Sequence, residues 1–159
     1  MNLMENKAAG LPGSKPLCMV DDDGNDLSRR ALKGDPTHST NFDRLQYDFV
    51  LVRWVMFEYI KVEEAQSFNG FHPHVSDPNG YWKQCKGKYL LLWDLRRLLS
   101  ADFYIVFYAH PGTFFSNEYR VMHVLSVTDS GLDYEFQNHN FESFSDWFRE
   151  QNRNAKGKM

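Results

Sequence analysis

Cysteine is scarce in this chain. Only Cys18 and Cys85 occur among 159 residues, too few for a disulfide framework and in keeping with a reducing compartment or an indifferent one. Long apolar runs are missing too, since no stretch reaches the roughly 20 consecutive apolar residues of a membrane-spanning helix. The opening MNLMENKAAGLPGSKPL has no basic segment leading into an apolar one, so no signal peptide is expected. These absences predict a cytoplasmic protein with no membrane partner. Charge of one sign is not in excess either. A net charge of −3 supplies no global field for nucleic acid or a lipid surface. Glycine-rich phosphate loops and a G-x-S-x-G nucleophile turn do not occur, and no internal repeat is visible.

Aromatic residues are what the chain has in quantity. Thirteen Phe, eight Tyr and four Trp, within a hydrophobic content of 42%, are enough for one core. Residues 1–40 contribute little to it. They hold Gly10, Pro12, Gly13, Pro16, Gly24, Gly34 and Pro36 with few large apolar side chains, so burial cannot offset the entropy of ordering them. A flexible arm is expected there. Its run Asp21-Asp22-Asp23-Gly24-Asn25-Asp26 resembles a calcium loop only superficially. Aligned on Gly24, the first and last ligands fall on Met19 and Arg30, which cannot do that work.

From Asn41, a candidate N-cap, the chain reads as a domain extending to residue 152. Phe42, Leu45, Phe49, Val52, Met56 and Tyr59 follow a helical spacing uninterrupted by Gly or Pro. One long, nearly buried helix is predicted, with a strand as the alternative because the stretch is rich in β-branched and aromatic residues. A turn-rich connection, 69–80, follows, and such long irregular segments often carry function. Two apolar runs, Tyr89 to Trp93 and Phe103 to Ala109, suit central strands. Tyr119 to Val127, the turn Thr128-Asp129-Ser130-Gly131 and the alternating Leu132 to Phe136 predict a hairpin. Asn140 then caps a helix with Phe141, Phe144, Trp147 and Phe148 on one face. The fold class expected is α+β. A long N-terminal helix packs on a mixed or antiparallel central sheet of about four to five strands, and an amphipathic C-terminal helix closes the domain. Residues 153–159 should form a disordered basic tail.

The order of these elements, with Asp77-Pro78-Asn79-Gly80 in the loop and Trp93-Asp94-Leu95-Arg96 at a strand end, resembles the core of the restriction-endonuclease-like PD-(D/E)xK nuclease superfamily over residues 42–109. The resemblance implies carboxylates that hold Mg or Mn beside a phosphate, and a neighbouring cation that orients water. The candidate catalytic residues are then Asp77, Asn79, Asp94 and Arg96, with Asp94 and Arg96 on one face of a strand. The motif is degenerate, because Asn79 stands where an acid is usual and Arg96 where lysine is usual.

His72-Pro73-His74 supplies a further metal-capable pair, so His72, His74 and Asp94 are the candidate ligands. Lys83, Lys86 and Lys88, with Tyr81, Trp82 and Arg96-Arg97, interleave cations and aromatics as single-strand nucleic-acid binders do. The loop aromatics Phe71, Tyr81, Trp82, Phe114 and Phe115 beside arginine speak for a protein interface. The reading that unites most of these features is a small soluble interaction protein with a protein partner, able to self-associate through its long apolar helix. The alternative is the divergent metal-dependent nuclease.

Overall fold

The computed structural model describes residue 33, residues 43–63, residue 66 and residues 69–156. The chain divides into two units, residues 1–39 and 40–159, and every element below lies in the second. The expected arm, its acidic run and the Asn41 cap lie outside the described residues.

Five strands form one mixed sheet in the order β1-β2-β3-β4-β5. They are β1 (Arg44–Asp48), β2 (Arg53–Val62), β3 (Asp102–Ala109), β4 (Tyr119–Thr128) and β5 (Gly131–His139). All neighbours pair antiparallel except β2 and β3, which are parallel. A parallel pair needs a crossover, and here it contains two 3₁₀ turns, Pro73–Val75 and Pro78–Tyr81, and the helix α1 (Trp82–Leu99). The helix α2 (Phe141–Asn154) follows β5.

The α+β class stands, but the long N-terminal helix does not exist. Residues 44–62 are a hairpin, β1 and β2, joined by Phe49-Val50-Leu51-Val52. Two facts hid it. Strand β2 is buried on both faces, with Val55 and Phe57 in one core cluster and Met56 and Val62 in the other, so its pattern does not alternate. Its turn, moreover, uses no Gly, Pro or Asn. Val52 takes the left-handed conformation instead, at φ 56°, which is rare for a β-branched residue. The expected self-association through a long helix loses its basis with that helix.

The run Tyr89–Trp93 is also corrected. It lies inside α1, where Leu, Lys and Arg favour helix and only Tyr89 and Leu92 are fully buried. One face of the sheet packs Met56, Phe103, Ile105, Phe107 and Met122 against that pair. The opposite face packs Val55, Phe57, Val106 and Val121 against Phe144 and Trp147 of α2. Asn140 caps α2 as expected, accepting from the Ser143 N–H at 2.9 Å. The helix runs through Arg153 to Asn154, so the first two residues of the expected tail are helical. Among the described residues, no helix is long and apolar enough to cross a membrane.

Candidate functional site

The proposed nuclease residues fall on two different elements. Asp77 and Asn79 belong to the second 3₁₀ turn, before α1 begins at Trp82. Asp94 and Arg96 lie in the C-terminal half of α1, roughly 18 Å further along its axis at 1.5 Å per residue. The shared strand face expected for Asp94 and Arg96 is absent, because both are helical. Asp94 is exposed and 3.5 Å from Arg97, whereas Arg96 lies over the Trp93 ring at 4.8 Å. Among the described residues, no group of three or more His, Cys, Asp or Glu is placed to hold a metal ion.

His72 and His74 instead meet Glu118. The His72 Nδ1 is 2.5 Å from a Glu118 carboxylate oxygen, and the His74 Nδ1 is 3.7 Å from the same atom. The His74 Nε2 contacts the His139 carbonyl at 2.9 Å. Burial, followed by the charge of His74, lowers the His139 pKa from its ordinary 6.5. Phe115 stacks on His72 with ring centroids 4.5 Å apart, leaving its neighbour Phe114 92% exposed.

The other expected binding residues divide as well. Phe71 and Tyr81 line one cleft of about 300 Å³ beside Val75 and Asp77. Trp82 stacks on the buried Tyr89 at 6.3 Å. Lys86 reaches Asp129 at 2.9 Å, Lys88 is ion-paired with the buried Glu58, and Lys83 stays exposed. Two of the three lysines are therefore engaged by carboxylates of the chain itself.

What the loop 72–81 does build is a frame around β5. The Asn79 side chain accepts from the Leu132 N–H at 2.8 Å and donates to the Leu132 carbonyl at 3.0 Å. It thus pairs with Leu132 as a residue of a neighbouring strand would. Gly131 permits the approach, since a Cβ there would lie 2.7 Å from the Asn79 Oδ1. Asp77 caps its own turn through the Asn79 N–H at 2.8 Å and accepts from the Tyr134 hydroxyl at 2.9 Å. Burial and that hydrogen bond push the Tyr134 pKa up to about 12, so the hydroxyl stays a donor at neutral pH. At the far end of the strand, His74 meets the His139 carbonyl.

Beyond the Asn79 clamp, no described residue covers the outward edge of β5. In an antiparallel pair, successive residues turn their N–H and C=O alternately toward and away from the neighbour. Leu132 turns its pair away from β4, toward Asn79, so Tyr134, Phe136 and Asn138 turn theirs outward too. No described residue takes them up. Phe136 is 51% exposed, and the Arg120 guanidinium holds its ring at 4.2 Å while donating to the Asn138 side chain at 2.8 Å. At the opposite sheet edge the end of β1 is tied down. Strand β1 has five residues, and α2 covers its end through Gln46 to the Gln151 carbonyl and the Phe49 N–H to the Asn154 carbonyl.

The residues of this edge went unassigned in the sequence. The alternation Leu132 to Phe136 marked a strand with one wet face, but strand order is a long-range property that no local pattern encodes. No family model matches the chain, and neither a curated protein nor a solved structure matches it.

Proposed function

We propose that this protein is a binding module that takes up an extended segment of a partner protein as a sixth strand on the β5 edge. The observation that carries the reading is the window Tyr134 to Asn138, whose outward backbone groups no described residue takes up beyond the Asn79 clamp. An exposed row of backbone donors and acceptors is a template for another strand, and strand addition is a recurrent mode of peptide recognition. Five residues match the ordinary length of a strand. Asn79 supports the reading further, because it satisfies the end of the row with strand-like geometry and leaves the middle free. Arg120 holds Phe136 upright beside that middle as a ready apolar contact.

Peptides selected from a random display library against the purified protein test this. Binders are expected to slow amide hydrogen exchange at Tyr134, Phe136 and Asn138. Phe136→Pro deletes one outward N–H without touching the ladder to β4 and should abolish binding, whereas Phe136→Ala keeps the N–H and should only weaken it. Binders that leave the three amides unprotected, or that tolerate Phe136→Pro, would overturn the proposal.

A further inference from the structure

Resting on the strand-addition reading, we infer that the segment taken up by β5 carries a lysine or arginine at the position facing Glu135. Register with β4 sets Asp133, Glu135 and Gln137 on the α2 side of the sheet, Glu135 directly across from His123. A row of charge crosses the sheet on this side. Arg53 on β2 meets Asp102 on β3 at 2.8 Å, His123 on β4 lies 3.7 Å from Asp102, and its other ring nitrogen lies 3.2 Å from Glu135. Arg53 is the one fixed cation in the row and it sits on Asp102. Glu135 is the outermost carboxylate, its side chain 72% exposed, with the exposed Asp133 two residues away on the same face.

The space beside Glu135 has the shape and chemistry for a long cationic side chain. A groove of about 230 Å³ runs between Trp147 of α2 and the strand, walled by Tyr104, His123 and Glu135. His123 stacks on Tyr104 at 4.8 Å, giving an aromatic floor. Lysine and arginine bury an apolar stem while keeping the charged head at a polar rim, and aromatic faces attract the cation. The backbone of Glu135 faces β4. In an added antiparallel strand, its partner would therefore form a non-hydrogen-bonded pair with it, the arrangement that brings side chains closest. An acidic residue at that position would meet like charge.

Two synthetic strand-forming peptides, identical except for a central lysine or norleucine, discriminate the possibilities. Affinity is read by titration, and amide exchange at Tyr134, Phe136 and Asn138 reports strand addition. The lysine peptide should bind up to about fivefold tighter, the upper end of the range of an opposite-charge cross-strand pair. That preference should shrink with added salt and vanish in Glu135→Gln. Equal affinity of the two peptides, with the amides protected, would overturn the basic-residue inference and leave strand addition standing. The same holds if Glu135→Gln strengthens both peptides equally, because the carboxylate would then serve only to repel neighbouring edges. Failure of both peptides to protect the amides would overturn strand addition and this inference with it.

Discussion

Glu58 is a buried charge with only one of its oxygens partnered. It sits in β2 with 6% of its surface exposed, ion-paired through one oxygen to Lys88 of α1, while the other oxygen is buried without a partner. Burial raises its pKa above the ordinary 4.5 despite the Lys88 hydrogen bond. A carboxyl whose folded pKa is raised takes up protons on folding. Its contribution is therefore most favourable below 4.5 and declines as pH rises through the higher folded value. Lys88→Met strands the carboxylate and should cost about 3 kcal/mol at pH 7. In urea denaturation, the deficit against the parent should narrow as pH falls toward 4.5. A pH-independent deficit would point to lost packing instead. At Gly131, alanine should cost about 2 kcal/mol through two lost hydrogen bonds and a strained backbone. Asn79→Ala should speed exchange of the Leu132 amide. Because the two substitutions break one clamp, the double variant should be little worse than the worse single. The sequence named Asp77 and Asn79 as candidate catalytic residues, and in the structure both side chains contact β5. They hold β5 in place, a role that depends on contact with a strand 53 residues away and leaves no local mark.

At the level of elements, the sequence was informative where pattern and turn agreed. Strand β3 and the β4–β5 hairpin were legible because apolar runs or alternation ended at Gly131 and Pro111. The N-cap and aromatic face of α2 were legible for the same reason, although Phe141 remains 59% exposed. The first hairpin was not, since Phe49-Val50-Leu51-Val52 gives no turn signal and all four residues are exposed. Asp48 makes that turn from below. Fully buried, it accepts from the Val50 and Leu51 N–H groups at 2.8 and 2.7 Å and from the Asn154 side chain at 3.2 Å. Val52→Gly should relieve the left-handed strain and stabilise the fold by about 1 kcal/mol, measured as a higher denaturation midpoint. A loss of stability would mean that contacts of the valine side chain outweigh its backbone strain. Helix α1 was missed for the opposite reason. Gly87 and the lysines around it break its apolar stripe, and the strand-like run Tyr89 to Trp93 drew attention from the helix formers that follow.

At the scale of the described domain, acid should weaken the end held by His139. His139 has a lowered pKa and a buried Nε2 without a partner. A histidine held neutral contributes stability that is intact above 6.5 and is lost as pH falls through its lower folded value. Denaturation midpoints at pH 7 and pH 5 should therefore fall less in His139→Gln than in the parent, and a parallel fall would overturn this. His72 and His74, the candidate ligands of the sequence, tie the loop 72–76 to the start of β4 through Glu118.

The clasp of Asp48 and Asn154 spans 106 residues. The strained Phe49–Val52 turn is held locally only by the Asp48 carboxylate, and closing the long loop to Asn154 is entropically slow. During synthesis, β1 and β2 leave the ribosome long before α2 exists to receive them. The hairpin that begins the sheet is thus among the last parts to set. For that interval the nascent chain carries four apolar turn residues without the Asn154 side chain that ties Asp48 to α2.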